Sequence, residues 1–377
     1  MSTCAMIFSL TFVRHVFCQP SPRQHRHVEH DASPLLILNC TRPHRQSIVR
    51  CSRTKYCSSP LKYSKASVTV SKVTMSGVIQ QFPAEKEYEK NPDISPEDIR
   101  KLREWMKTQP HLPEQHWTDL DLIIAYHCCE CSTEVAKQVI DLHISSRTLL
   151  KELFHDRVID KRIIDTLHVA LLAPLPTPTV HGYRAMYCRL LDGDYRKYNL
   201  TDMVRTFMAV FDLWQYEEGT WPGFVIIIDM DLVSVSHVTK LDVTTIRNTL
   251  YFLQECMLAK VKEVHFTNAP PFMDRVLMLL KPFIANDLIH ILHVHEKKSD
   301  VLFEYVPKES FPEECGGNYM KLESLRDLHI RRLQDNKEFF VRENLRRVDE
   351  SLRPNGKTKT IEDVFGIQGS FKKLDID

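Results

Sequence analysis

With 377 residues, 43% of them hydrophobic, the chain has room for two ordinary domains with cores of their own. Its formal net charge of +1 balances unequal parts: residues 1–74 hold eleven Lys and Arg against only Glu29 and Asp31, a charge of +9, and the rest carries −8. An acidic body excludes the electrostatic footprint of a nucleic-acid binder, and no run approaches the ~18 uncharged apolar residues of a membrane-spanning helix.

Ser, Pro, Arg and His punctuate residues 1–74, where no helical or strand period persists, so this basic Ser/Pro/His-rich extension reads as disordered. Its opening MSTCAMIFSLTFVRHVFC has no basic segment ahead of the apolar one, which makes it a poor signal peptide, and bears a faint likeness to a mitochondrial presequence. Met75 opens a segment that reads as an ordinary start of a soluble protein. Five of the eleven cysteines lie in this head and six in the body, Cys188 and Cys256 among them inside apolar segments. Their spacing is not that of a disulfide framework, so the reducing cytoplasm is the expected compartment.

Residues 93–172 read as a small helical domain. Ser95 followed by Pro96, Glu97 and Asp98 supplies a cap, a proline at the first helical position and acids in the first turn, and Ile99, Leu102, Trp105 and Met106 follow at helical spacing. Further helices are expected over 119–127, after Ser132 and Thr133, and over 160–167, with the proline cluster APLPTPT at 173–179 as the exit. From there the pattern alternates. AMYCRLL (185–191), FVIIIDM (224–230), EVHFTN (263–268) and HILHVH (290–295) read as strands, and 201–217, 237–260 and 271–283 as the helices between them. FVIIIDM is a continuous β-branched run, the mark of a strand buried on both faces. The alternation predicts an α/β domain with a mostly parallel sheet over 180–320. A charged helix (322–348) and a polar tail fill 321–377.

Five pieces occur in order: LPEQ before DLDLIIAYH, GFVIIIDMDLVSVSH, LAKVKEVHFTNAPPFMDRVLMLLKPF, LHVH and FPEECGG. Together they resemble the CRAL-TRIO lipid-transfer family, which includes the tocopherol-transfer and cellular retinaldehyde-binding proteins. The resemblance spans roughly 93–345. It implies a small helical domain followed by a CRAL-TRIO α/β domain with a lipid cavity, no catalysis and no cofactor. It also implies a monomer, peripheral to membranes, that carries a small hydrophobic lipid of the retinoid, tocopherol or carotenoid kind. Burying a chain of roughly 16 carbons gains ~10 kcal/mol before costs, so few polar contacts are required. A non-catalytic membrane-targeting or signalling adaptor, with weak phosphoinositide or phospholipid binding, is the alternative.

The resemblance makes Pro271–Phe283 a mobile gate, and the helix is apolar nearly all round. Phe272, Val276, Leu279, Leu280 and Phe283 are its candidate lipid contacts. Phe207, Phe211 and Trp214 on the preceding long helix, and Ile226, Ile228, Val233 and Val235 on and after the FVIIIDM strand, are the others. Phe207 and Phe211 stand where the tocopherol-transfer protein has serines, which implies a drier, narrower pocket. Lys260, Lys262, Arg275 and Lys281 are candidate head-group contacts. The family's usual phosphoinositide site is in doubt, because two of its basic positions fall on Asp287 and Ile291.

FPEECGGNY (311–319) invites an enzymatic reading around Cys315, and Asp229 and Asp231 end a strand as catalytic acids do. No nucleophile–base constellation accompanies them. Cys315 is expected to pack, the paired glycines to turn and Asp229 to brace the loop. HCCEC (127–131) and His290, His293 and His295 suggest metal ligands, but neither forms the paired ligand units of a zinc site, and no metal is expected.

Overall fold

The computed structural model describes residues 77–356, 358–361 and 363. The expected disordered extension over 1–74, and most of the polar tail, lie outside these residues.

Local signals in the helical lead-in act as written. After a short helix α1 (Ala84–Lys90), Ser95 Oγ accepts from the Asp98 amide at 3.2 Å and the Asp98 carboxylate accepts in return from the Ser95 amide, starting α2 (Pro96–Lys107). Thr118 and Asp121 repeat this box at α3 (Asp119–Cys128). Each box satisfies amides that the first turn would otherwise leave bare. Leu102, Met106, Leu122, Ile123 and Ile140 are fully buried where α2, α3 and α4 (Thr133–Leu149) meet.

Two further helices, α5 (Lys151–Phe154) and α6 (Lys161–Val169), lead without a loop into strand β1 (Ala170–Pro174). The expected boundary at 172 therefore falls inside a strand. The APLPTPT run does not end a helical domain, because its first two residues complete β1, and Pro174 is tolerated at an edge. The five-stranded sheet runs β1-β2-β3-β4-β5, with β2 Arg184–Leu190, β3 Phe224–Asp229, β4 Val261–Thr267 and β5 Leu292–Val294. β1 is antiparallel to β2 and the other pairs are parallel, with Met186 beside Ile226 and Ile226 beside Val264.

The sheet is covered on both faces, as its apolar strands require. On one face Leu171, Tyr187, Val225 and Ile227 pack against α11 (Leu302–Tyr305), Phe311 and α12 (Leu322–Asp335). On the other, Met186 and Ile226 meet α7 (Leu200–Glu218), whose Met208 and Leu213 also pack on α5 and α6. Leu333 of α12 and Phe339 and Phe340 of α13 (Lys337–Asn344) complete this core.

Three expected helices are broken. The span 237–260 divides into α8 (Val235–Val238), α9 (Val243–Tyr251) and a π turn Phe252–Cys256, because the Asp242 carboxylate caps α9 from the Thr245 amide at 2.6 Å. The span 271–283 keeps only α10 (Met273–Leu280), followed by a 3-10 turn at Lys281–Phe283 that contains Pro282. The span 322–348 breaks at Asn336, whose side chain accepts from the Ile79 amide at 2.7 Å and donates to Arg332 O.

FPEECGGNY is a closing turn. Glu313–Cys315 forms a 3-10 turn, Gly316 has φ +83°, and a Cβ on Gly317 would stand 2.0 Å from the Phe311 carbonyl oxygen. The Cys315 thiol packs in the cluster around Phe311, and burial pushes it above its ordinary range, opposed by its hydrogen bond with Tyr187.

Candidate functional site

A cavity of about 340 Å³ lies between α7, one face of the sheet, α9 and α10, within the ~300–1,000 Å³ of small-molecule sites. It follows from strand periodicity: Ile226 and Ile228 of β3, and Val264 and Phe266 of β4, alternate onto the same face. Phe207 and Met208 project from α7, and Val276 and Leu280 from α10.

Six of the twelve sequence candidates line this space: Phe207, Ile226, Ile228, Val233, Val276 and Leu280. The others do not. Phe211 and Trp214, one and two turns past Phe207, are buried against Trp221 and Phe224, with Phe211–Trp221 centroids 5.5 Å and Trp214–Trp221 centroids 4.3 Å apart. Val235 is 49% exposed at the start of α8. Phe272 precedes α10 and packs beside Met273, while Leu279 and Phe283 sit half-buried off the lining. The expected narrowing by two phenylalanines thus reduces to Phe207.

Sequence reasoning missed the wall supplied by α8, α9 and the π turn, where His237, Ile246, Thr249 and Leu253 line the cavity. Their signal was hidden because one long helix was assumed through 237–260, which scrambles which residues share a face.

Polar groups are few. At the end of β3 the Asp229 carboxylate accepts from Arg189 at 2.5 Å, from Asn268 at 2.8 Å and from the Tyr187 hydroxyl. Arg189 also donates to Asp231 at 2.8 Å. With its oxygens taken and Arg189 beside it, Asp229 braces the strand end. His237 is 3% exposed; its Nδ1 accepts from the Ser234 amide at 3.1 Å and its Nε2 has no hydrogen-bond partner. Burial lowers its pKa, against a smaller opposing pull from Asp194. Thr249 Oγ1 is likewise buried and unpartnered.

The four basic candidates do not form one free cluster. Lys260 pairs with Glu130 at 3.2 Å, and burial followed by Lys260 lowers the pKa of Lys262. Arg275 and Lys281 are exposed at α10 and have no ion-pair partner among the described residues. Asp287 is exposed and Ile291 half-buried.

Among the described residues no group of three or more His, Cys, Asp or Glu is arranged to hold a metal. In HCCEC, burial pushes Cys128 up to about 11 and His127 down to about 4. His265 is hydrogen-bonded to His295 at 2.8 Å and to Glu263 at 3.0 Å, with His293 stacked on it, on the sheet face away from the cavity. Among the described residues no helix is long and apolar enough to cross a membrane.

Comparison with known proteins places two matches along the chain. Residues 171–317 match the CRAL/TRIO domain and residues 91–164 the Pinta-like UBA domain. Clavesin-1 of Pongo abelii is 23% identical over 236 residues, covering 62% of this chain and 67% of its own. Clavesin-2 of Homo sapiens is 21% identical over 236 residues, covering 62% and 72%. Among solved structures, Sfh5 aligns with 15% identity and a TM-score of 0.36 over 54% of this chain and 72% of its own.

Proposed function

Because the chain belongs to the CRAL-TRIO lipid-transfer family, whose members bind lipids and associate with membranes, we propose that it takes one slim hydrophobic lipid into the cavity and carries it between membranes, with α10 as the gate. The single observation that carries this reading is the apolar wall of the 340 Å³ cavity. Its almost wholly apolar wall suits one slim chain of the retinoid, tocopherol or carotenoid kind. Each buried methylene contributes ~0.8 kcal/mol, so the wall itself supplies affinity.

α10 supports the gate. Of its residues only Met273 and Val276 are fully buried, Met278 is 71% exposed, and Val276 and Leu280 face the cavity. A helix so lightly anchored opens at low cost. Its outward Met278 and Arg275, with Lys281 in the turn that follows, present an apolar and cationic surface to an anionic bilayer. Members of the family are generally non-catalytic, and no step here calls for catalysis.

The test is lipid transfer between donor and acceptor vesicles by the full chain, with native mass spectrometry of the loaded protein. One lipid per chain, and loss of loading in Val276→Trp with unchanged thermal stability, is the expected result. Vesicle binding without extractable lipid would overturn the carrier reading in favour of a membrane-targeting adaptor.

A further inference from the structure

Strand β5 is an edge of the sheet, three residues long and hydrogen-bonded to β4 alone. Its Leu292 closes part of the cavity, and its other face carries imidazoles that the carrier reading does not use. His265 of β4 is fully buried between Glu263, whose carboxylate lies 3.0 Å from Nε2, and His295, whose Nε2 lies 2.8 Å from Nδ1. His293, opposite His265 in the register, stacks on the same ring at 4.8 Å between centroids. The Tyr305 ring of α11 stands edge-on to it at 5.0 Å.

Proton counting shows what this arrangement tolerates. Burial would raise Glu263, but the hydrogen bond from His265, then His265, His181 and His293 around it, hold it below its ordinary range. An ionised carboxylate only accepts, so His265 donates from Nε2, its Nδ1 is bare, and His295 donates to that nitrogen from Nε2. The chain is complete with every ring neutral. One added proton fits: it settles on His265 Nδ1, His295 shifts its own to Nδ1, and the contact survives beside the carboxylate. A second sets N–H against N–H across that contact, or charges His293 against a charged ring.

The groups facing these rings are Glu263, Tyr305, His181 and Tyr183 ahead of β2, and His290 ahead of β5. Glu263 is the acid among these described residues, so one buried positive charge is balanced and two are not. Burial, then His265, lowers the pKa of both His293 and His295. Their folded values lie below the ordinary 6.5, so under that pH the freed strand binds more protons than the packed one. The hold on β5 is therefore full above about 6.5 and weakens as pH falls.

We propose that Glu263, His265, His293 and His295 form an acid-sensitive lock on β5, closed while the rings share at most one extra proton and opened by the next. The chain reaches β5 from α10 through Ile284, which also lines the cavity, so a freed β5 draws Ile284 and Leu292 off the wall. Acid then speeds the exit of the cargo, a step that rests on the carrier reading; the lock itself does not.

The experiment compares the full chain at pH 7.5 and pH 5.5 in two ways. Hydrogen exchange in peptides covering 290–297 is divided by exchange in β3, which cancels the chemical pH dependence of exchange. Stopped-flow dissociation of an apolar fluorophore reports release from the cavity. Both are expected to rise about tenfold at the lower pH, the change one net proton gives per pH unit below the ordinary value. Glu255 of the π turn cannot mimic this: burial and then Asp287 push its carboxyl up to about 7, which favours the folded form in acid. The double variant His293→Phe, His295→Gln keeps a stacked ring and an N–H for His265 Nδ1 but does not titrate. It should match the parent at pH 7.5 and lose the rise. His295→Gln alone is the second variant, with a smaller loss of the same rise. An exchange ratio that ignores pH, a rise that survives in the variants, or a loosened β5 without faster dissociation would overturn the proposal. If the fluorophore binds at neither pH the carrier reading fails, and the exchange ratio alone upholds or overturns the lock.

Discussion

Gly317 shows how far one position constrains the molecule. It has no room for a side chain, since a Cβ would meet the Phe311 backbone oxygen at 2.0 Å. Backbone cannot swing away as a side-chain end can, so Gly317→Ala should cost ~2 kcal/mol or more in chemical denaturation, through strain in the turn. Cys315, two residues earlier, touches Tyr187 and the Phe311 cluster but occupies a half-buried site. Cys315→Ala should cost ~1 kcal/mol or less and leave ligand affinity unchanged, which a parallel melt and binding titration checks. This turn was legible through the family resemblance, with the paired glycines permitting its tight backbone. His237 was not legible. A histidine beside valines and serines gives no sign of which ring nitrogen is left bare until the turn around Ser234 is folded.

At the scale of elements, strands and helices were read with unequal success. The continuous β-branched run identifies β3 because both its faces need apolar side chains, the alternation of strands with helices identifies β2 and β4, and the family-like order identifies α10. Breaks escaped notice because Asp242 and Asn336 look like ordinary polar helix residues until their side chains are seen to cap or to bond elsewhere. The π turn after α9 is tied to the chain that leaves α10. Its Gln254 donates to Phe283 O at 2.9 Å and accepts from the Ala285 amide at 2.9 Å. Such turns gather at functional positions in helices. The neighbouring Glu255 is pushed up to about 7 by burial and then by Asp287. Its folded pKa lies above the ordinary 4.5, so between those values the folded chain keeps a proton that the unfolded chain releases. Stability from this group is full below about 4.5 and lost as pH rises through about 7. Glu255→Gln should therefore gain on the parent in urea midpoint as pH rises across that window, by at most ~3 kcal/mol, with no further gain above it. A difference that stays flat with pH would remove Glu255 as the titrating group.

On the scale of the whole molecule, a buried charge network joins parts that the sequence presents as separate. Asp212 of α7 accepts from Arg147 of α4 and from Arg157, each at 2.5 Å. Glu343 of α13 accepts from the same two at 2.8 and 2.7 Å and from Arg347 at 2.9 Å. Arg157 is fully buried, and burial alone would raise both carboxyls, but the arginines hold Glu343 well below its usual range and Asp212 below its own. No sequence pattern announced this, since the partners stand far apart in the chain and Glu343 sits in a helix whose charge reads as solvated. The energetic sense is asymmetric. Forming such a network adds little net stability, whereas removing one member strands the rest, at a cost of ~3–5 kcal/mol. Glu343→Gln leaves Arg147 and Arg157 with Asp212 as their one carboxylate and takes from Arg347 its ion-pair partner. It should lower the midpoint of one cooperative transition followed in parallel by tryptophan fluorescence and far-UV circular dichroism. Phe340 and Leu333 share a core with Met208 and Phe154, so the helical lead-in, the sheet and the C-terminal helices lose their packing together. Two separated transitions in the variant would show instead that the C-terminal helices melt on their own. The network would then be a clasp on the cavity-bearing core rather than part of it.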